Sequence, residues 1–184
     1  MIVGVGGQGT LLASKVLGQL FLNEQYDVKV SEVHGMSQRG GSVVTYVRFG
    51  ETCHSPVICE GEADFILSFE KLEAARYIRC LSPSGIVLTN DQEIAPMPVI
   101  TGAAEYPHEI LQDLSSLGAR VVSLDALGLA RQAGSVKAVN IVLLGKLSTF
   151  FTFSEEAWLA ALEAVIPKKL FEMNRTAFLL GRSA

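Results

Sequence analysis

The sequence predicts an α/β fold in which a mostly parallel sheet carries helices on both faces. Short apolar runs alternate with stretches whose apolar residues recur at helical spacing. A Gly-x-Gly-x-x-Gly turn at residues 4–9 separates the first apolar run from the first helical stretch. From Ser135 onward the chain has only helical patterns. We therefore expect a Rossmann-like sheet with a glycine-loop hairpin insert and a helical C-terminal appendix.

Length and composition indicate a single domain that needs a partner. The chain has 184 residues, and no low-complexity tract or linker divides it, so we expect one domain over 1–184. Apolar residues make up 49% of it, and charged residues 18% against about 25% in typical proteins. A single domain of this size would either bury such an apolar surplus in an unusually apolar core or leave surface patches that a partner covers. Of these two alternatives, we expect the partner.

Charge and hydropathy exclude two classes of partner. The net charge is −4, the pI is near 5.4, and no basic block occurs, so neither nucleic acid nor an anionic membrane surface is expected as a partner. No apolar run reaches the ~18 residues that span a bilayer, and the N-terminus lacks the pattern of a signal peptide. The sequence predicts a cytoplasmic protein.

The cysteines do not predict a metal site. Cys53, Cys59 and Cys80 are the three cysteines, and no Cys-x-x-Cys pair occurs among them. Zinc and iron–sulfur sites generally need four closely spaced ligands, and Cys53-His54 with Cys59 is the only cluster. We expect reduced thiols and no metal.

The first glycine-rich loop follows a strand predicted at residues 1–5 and precedes a helix predicted at residues 10–23. Glycines at such a turn allow a tight bend, close approach of a ligand to bare backbone, and close packing of helix on sheet. The N–H groups at the start of the helix favour a phosphate or carboxylate. The residues predicted to receive an anion or a partner here are Gly4, Gly6, Gly7, Gln8 and Gly9.

A second glycine-rich loop lies between strands predicted at residues 26–33 and 42–49. Strand, polar loop and strand form a hairpin where a dinucleotide-binding fold would start its second helix. Arg39 has the paired donors that bind a carboxylate or phosphate, and glycines permit close backbone approach. The candidate site residues of this loop are His34, Ser37, Gln38, Arg39, Gly40 and Gly41. Of these, His34 and Arg39 are the candidates for a catalytic role.

The remaining elements follow from periodicity and from proline and glycine punctuation. Pro107 is expected as the first residue of one helix, and Asp125 and Ser154 as N-caps of two others. Strands are predicted at residues 64–69, 85–89, 99–100 and 120–124, and helices at 70–81, 107–118, 125–133, 136–147, 154–166 and 168–180.

Asn140 lies within a predicted helix that is apolar nearly all round. Such a helix is buried or docks against another surface. A buried amide needs partners for its donors and its acceptor. Asn140 is therefore either a satisfied core residue or a contact for a ligand or subunit, and both interpretations stay open here.

The two loops together resemble a known family. The string Gly4-Val5-Gly6-Gly7-Gln8-Gly9, with 32–43 (EVHGMSQRGGSV), Asn140 and the terminal 174–181 (NRTAFLLG), is similar to the gamma-domain family of 2-oxoacid:ferredoxin oxidoreductases. The stretch 34–41 (HGMSQRGG) most resembles the beta subunit of indolepyruvate:ferredoxin oxidoreductases. The likeness extends along most of the chain.

This resemblance implies a catalytic-domain subunit without cofactors of its own. In the family, thiamine diphosphate with Mg²⁺ and [4Fe-4S] clusters are held by a larger partner subunit, and the gamma unit helps to complete the site for coenzyme A and substrate. The assembled enzyme would decarboxylate a 2-oxoacid, here indolepyruvate or a related aryl pyruvate, to the acyl-CoA, with ferredoxin as the electron acceptor. The chain alone would be inactive.

Two other functions are compatible with parts of the pattern. Glu32, near the end of the second predicted strand, could bind the ribose of a nicotinamide dinucleotide, or Arg39 its 2′-phosphate, in an NAD(P)-dependent oxidoreductase. Alternatively, the glycine loops serve only tight docking in a non-catalytic scaffold subunit. The three histidines and the carboxylates show no spacing typical of a catalytic triad or a carboxylate pair.

Overall fold

A computed structural model describes residues 1–34 and 40–184, with His34 represented by its backbone alone. Within these residues six strands form one sheet, and we number them in chain order. They are Ile2–Val5 (β1), Asp27–His34 (β2), Ser42–Gly50 (β3), Ala63–Ser68 (β4), Leu81–Asn90 (β5) and Arg120–Leu124 (β6). The strand order is β2-β3-β1-β4-β5-β6. The pairs β1–β4, β4–β5 and β5–β6 are parallel. Strand β3 lies antiparallel to both β1 and β2.

The predicted hairpin insert is therefore present, and it places β3 between β1 and β2. His34 pairs with Val43, and Val5 pairs with Ser42, so β1 and β2 end at the same edge of the sheet. The parallel strands β4, β5 and β6 end at this edge too. Both glycine-rich loops thus meet at the carboxyl edge, where open α/β sheets usually bind their ligands.

Helices cover both faces of the sheet. They are Thr10–Asn23 (α1), Lys71–Arg76 (α2), Met97–Ile100 (α3), Ile110–Ser116 (α4), Ala126–Gln132 (α5), Val139–Ser148 (α6), Glu155–Val165 (α7) and Lys168–Ser183 (α8). Because side chains alternate along a strand, neighbouring residues such as Ile2 and Val3 contribute to different cores. The first helix, α1, has the predicted bounds. No helix of the described part is long and apolar enough to cross a bilayer.

The larger core lies under the C-terminal helices. It joins α1, α6, α7 and α8 to the sheet through side chains such as Leu20, Leu144, Trp158 and Phe178, all with 0% exposure. Nine of the ten residues of α6 are buried, as its all-round apolar pattern predicts. The predicted helical C-terminal part is therefore a main element of the core.

The opposite face carries a smaller core and the largest differences from the predicted elements. The helix predicted at residues 70–81 ends at Arg76, and β5 already begins at Leu81. The predicted strand at 99–100 is wrong, since Met97–Ile100 forms a helical turn with a proline in its first turn. Pro107 precedes α4, which begins only at Ile110. Short apolar runs do not distinguish a strand from a helical turn, and this explains the error.

Candidate functional site

The first loop bends over the carboxyl end of β1 as the glycine spacing predicts. Gly7 and Gly9 have φ of 103° and 90°, values that favour glycine. An added Cβ on Gly4 would lie 2.9 Å from Gln8 Oε1 and 3.2 Å from Phe69 Cβ. Each of these glycines is thus required either by its conformation or by a close neighbour.

Gln8 joins the first loop to the end of β4. Its Oε1 accepts a hydrogen bond from Val5 N at 2.7 Å, and its Nε2 donates to Phe69 O at 3.0 Å. Phe69 O also accepts from Asn90 Nδ2 at 3.3 Å. The chain leaves β1 toward the α1 face and leaves β4 toward the α2 face, so Gln8 lies in the crevice where ligands of open α/β sheets usually bind.

Asn140 connects the first loop to the larger core. It is 2% exposed, and its Nδ2 donates to Gly9 O at 3.2 Å. Its Oδ1 accepts from Ile141 N at 2.9 Å. A Cβ on Gly9 would lie 2.6 Å from that same amide nitrogen. Within the described residues, Asn140 therefore has the contacts of a satisfied core amide that positions the loop.

The two glycine-rich loops are joined through their backbones. Gly6 N donates to Gly41 O at 2.8 Å, and Gly40 N donates back to Gly6 O at 3.4 Å. Gly40 has φ of 76° and is exposed. The structure thus brings the two loops together at Gly6, Gly40 and Gly41. The predicted site residues Ser37, Gln38 and Arg39, and the side chain of His34, lie outside the described part.

The start of α1 presents donors beside this junction. Among the described residues, none accepts a hydrogen bond from the N–H groups of Gly7, Gly9 or Thr10. Gly9 is the N-cap residue and has no side chain to occupy these donors. The first turn of α1 contains no acidic residue, so nothing there opposes an anion. The arrangement is chemically suited to receive a phosphate or a carboxylate.

Two buried glutamates, which the sequence did not reveal as site residues, lie on the α2 side of the edge. Glu70 is 1% exposed and caps α2 by accepting from Glu73 N at 3.0 Å. It also accepts from Ile94 N at 3.2 Å and from the Tyr106 hydroxyl. Burial and the Glu70 carboxylate raise the pKa of Tyr106 above its ordinary value of 10.0. The phenol therefore stays a donor to Glu70.

Glu73 anchors the end of the second loop. It is 4% exposed, accepts from the Ser42 hydroxyl, and pairs with Arg76 Nε at 3.1 Å. Ser42 directly follows Gly41. Helix spacing places Glu73 and Arg76 on one face of α2, but only the tertiary fold brings Ser42 to them. Sequence periodicity alone therefore gave no signal for this contact.

The alternative role of Glu32 does not fit its position. Glu32 lies within β2 and pairs with Thr45 of β3. In a dinucleotide-binding fold, the ribose-binding acid ends a strand that is adjacent to β1. Here β3 separates β2 from β1. Among the described residues, no group of three or more His, Cys, Asp or Glu side chains is arranged to hold a metal ion.

Known proteins are similar to this chain along its whole length. The family model of pyruvate ferredoxin/flavodoxin oxidoreductase matches residues 1–184. Indolepyruvate oxidoreductase subunit IorB of Thermococcus kodakarensis is 44% identical over 191 residues, covering 100% of this chain and 94% of that protein. The subunit of the same name from Archaeoglobus fulgidus is 36% identical over 185 residues, covering 98% and 92%.

Solved structures share the fold at lower identity. Pyruvate oxidoreductase subunit PORC of Thermotoga maritima superposes with a TM-score of 0.74 at 20% identity, covering 99% of this chain and 94% of that one. The 2-oxoglutarate:ferredoxin oxidoreductase of Magnetococcus marinus gives a TM-score of 0.72 at 18% identity, covering 99% of this chain and 30% of the longer one. These two likenesses concern the fold. Because the family match and the IorB relatives extend along the full chain, the protein belongs to the pyruvate ferredoxin/flavodoxin oxidoreductase family.

Proposed function

We propose that this chain is the non-cluster subunit of a 2-oxoacid:ferredoxin oxidoreductase that acts on indolepyruvate or a related aryl pyruvate. The main support for this proposal is the backbone pairing of Gly6 with Gly40 and Gly41 at the carboxyl edge of the sheet. It joins the two loops on which the family resemblance depends. The full-length similarity to subunits named indolepyruvate oxidoreductase IorB supports the choice of substrate class.

The proposed overall reaction consumes a 2-oxoacid, coenzyme A and two oxidised ferredoxins. It releases the acyl-CoA, carbon dioxide, a proton and two reduced ferredoxins, so the two electrons of the oxidation leave on ferredoxin. Thiamine diphosphate with Mg²⁺, held by the larger partner subunit, would supply carbanion stabilisation, and [4Fe-4S] clusters of that subunit would carry the electrons. This chain's own contribution is binding and positioning in a cytoplasmic complex.

The described residues support a specific division of this work. The N–H groups of Gly7, Gly9 and Thr10 lie at the start of α1 and have no acceptor among the described residues, so an anionic group such as the pyrophosphate of coenzyme A would bind there. Gln8 and Asn140 hold that backbone in place through Phe69 O and Gly9 O. These donors act without reorganising, and this makes them suitable for binding a charged co-substrate.

The second loop would provide a polar cover over the partner's active centre. His34, Ser37, Gln38 and Arg39 are the residues proposed for it on the basis of sequence. Arg39 is the strongest candidate, because its guanidinium binds carboxylates and phosphates through two parallel hydrogen bonds. The Gly40–Gly6 and Ser42–Glu73 contacts fix the end of this loop to the sheet and to α2.

Replacing Arg39 tests the site. In the complex assembled with the larger subunit, Arg39→Ala should lower kcat/KM for 2-oxoacid-dependent reduction of a viologen dye by about 10²-fold, as is typical when one charged donor is lost from a reacting site. Arg39→Lys keeps the positive charge but lacks the paired N–H donors of the guanidinium, so it should recover a small part of the lost kcat/KM. Arg175→Ala, on the exposed face of α8, is the matched control and should leave the rate unchanged. Full activity and assembly of Arg39→Ala would remove Arg39 from the site.

Two further measurements separate this proposal from its alternatives. The isolated chain should bind neither NADH nor NADPH tightly, and tight binding in a titration would support a nicotinamide-dependent enzyme instead. The larger subunit should lose 2-oxoacid turnover when this chain is absent. Normal turnover without it would make the chain a scaffold, and turnover by the chain alone would contradict the proposal.

A further inference from the structure

A small pocket lies between the end of the second loop and the α2 face. Its volume is about 180 Å³, and its walls include Val5, Leu72, Ile94 and Met97 together with Gly40 and Gly41. Its walls are thus mainly apolar side chains and glycine backbone. This volume is sufficient for one leucine-sized or aromatic side chain, but it is smaller than the ~300 Å³ at which small-molecule sites usually begin.

An exposed apolar segment forms one rim of the pocket. Residues 95–104 contain no charged side chain, and Met97 and Ile100 within them are 65% and 66% exposed. Exposed apolar residues that occur singly are ordinary, but a continuous uncharged segment beside a pocket indicates an interaction surface.

This rim is held in place by polar contacts. Glu70 accepts from Ile94 N on one side of the segment and from the Tyr106 hydroxyl on the other. Lys71 Nζ lies 2.8 Å from Glu93 and 3.1 Å from Asp91, which pins the preceding loop to α2. The apolar surface is therefore preformed, and a partner would not have to bear the entropic cost of ordering it.

Arg76 provides a charge at the other side of the pocket. Its side chain is 47% exposed, and Glu73, which it contacts through Nε, is also shared with Ser42. A guanidinium has five N–H donors. Arg76 can therefore donate to a further carboxylate on a partner while it keeps its contact with Glu73.

We propose that this pocket and its rim dock the larger partner subunit, which inserts an apolar side chain between Leu72 and Met97 and sets a carboxylate against Arg76. The inference rests on the proposed function. Gly40 and Gly41 belong both to the pocket wall and to the paired loops, so the surface is continuous with the proposed site. A second copy of this chain placed here would cover the edge that the partner needs. A buried apolar anchor beside an arginine is also the usual composition of an energetic centre in protein interfaces.

Charge insertion on the rim tests the docking surface. Met97→Asp should raise the Kd for the larger subunit about tenfold or more, measured by titration calorimetry with the purified wild-type partner. Leu117→Asp is the matched control, because Leu117 is 74% exposed but follows α4 at the opposite edge of the sheet. Its Kd should change less than about twofold. Arg76→Glu should also weaken association about tenfold, and its effect should decrease at high salt.

The outcomes distinguish this inference from the proposed function. If wild-type chain and larger subunit fail to associate or to form an active complex, the proposed function fails. If they associate and Met97→Asp binds as tightly as wild type, or Leu117→Asp weakens binding equally, the docking surface is overturned. Sedimentation of the chain alone tests whether a second copy of the chain occupies the pocket instead. If Met97→Asp abolishes a homodimer but leaves binding to the larger subunit unchanged, the proposed docking surface is also overturned. Circular dichroism should confirm that the exposed substitutions leave the fold intact.

Discussion

The two faces of the sheet are stabilised in different ways. On the larger face, α6 and α8 approach so closely that a Cβ on Gly145 would lie 2.0 Å from Phe178 O, and one on Gly181 would lie 1.9 Å from Val142 O. On the smaller face, short helices are fixed by the buried carboxylates of Glu70 and Glu73. The larger face is a scaffold packed by shape. The smaller face, next to the second loop, is fixed by a few polar contacts and leaves an open pocket, where we propose that the partner is recognised.

The largest effect is expected from breaking the helix contact on the larger face. Gly181→Ala would drive a methyl group into the backbone of Val142, and two packed helices cannot separate without losing core contacts. We expect the free energy of unfolding to decrease by about 3–5 kcal/mol, at or above the upper end of typical overpacking effects. Urea unfolding followed by circular dichroism measures it.

The same substitution in α1 is the control. A Cβ on Gly18 would meet its nearest neighbour, Val30 Cγ2, at 3.8 Å, an ordinary contact. Because alanine is the better helix former, Gly18→Ala should increase the free energy of unfolding by about 0.5–1 kcal/mol. If Gly181→Ala and Gly18→Ala changed the free energy of unfolding equally, the close contact between α6 and α8 would not be what stabilises the larger face.

A smaller effect is expected from the polar contacts of the other face. Tyr106→Phe removes one donor from the buried Glu70 carboxylate, and hydrogen bonds to charged groups contribute about 1.5–3 kcal/mol. The free energy of unfolding should decrease by that amount at neutral pH. Association with the larger subunit should weaken as well, since Glu70 then holds the rim of the pocket with one contact fewer.

The pH dependence of stability sharpens this prediction. The pKa of Tyr106 is raised in the folded protein, so the unfolded chain loses the phenol proton first, near pH 10. The stabilisation is therefore complete below about pH 10 and is lost as pH rises above it. Unfolding measured between about pH 8 and 11 should show a larger loss of stability in the wild type than in Tyr106→Phe, where burial still raises the pKa of Tyr46 and Cys80. Tyr77→Phe, whose hydroxyl lies 3.4 Å from Ser42 Oγ, should retain it.

The smallest effect is expected where the larger face meets the first loop. Asn140→Ala removes the donor to Gly9 O and the acceptor of Ile141 N, but Leu12 N and Ala13 N still bond to Gly9 O. We expect a loss of about 1–2 kcal/mol in the free energy of unfolding, since each neutral hydrogen bond contributes about 1 kcal/mol. Amide hydrogen exchange at Leu12 and Ala13, which donate to Gly9 O, should nevertheless accelerate, because the loop loses its tether. Unchanged exchange there would contradict a positioning role for Asn140.

The sequence predicted the larger face better than the smaller one, and the reason is physical. The bounds of α1, the burial of α6 and the caps Asp125 and Ser154 follow from periodicity and capping, which are local properties. The hairpin was also predictable, since two alternating runs flank a glycine-rich loop. That β3 lies between β1 and β2 was not, because strand order depends on contacts between distant residues.

The polar contacts around the loops could not be predicted in the same way. Glutamate is not a preferred N-cap, so nothing local indicated that Glu70 would cap α2 and bind Tyr106. Asn90 and Gln8 meet at Phe69 O although they are distant in sequence. Local pattern thus predicted which residues surround the candidate site, whereas the bonds that hold them in place required the tertiary structure.

The pairing of Gly6 with Gly40 and Gly41 has a thermodynamic consequence. Gly6 shares hydrogen bonds with Gly40 and Gly41, so an anion that stabilises the start of α1 would also stabilise the positions of these two glycines. By linkage, if the anion increases the affinity of the chain for a subunit that binds the second loop, that subunit increases the affinity of the first loop for the anion by the same factor. Assembly with the larger subunit and binding of the anionic co-substrate would then be thermodynamically coupled.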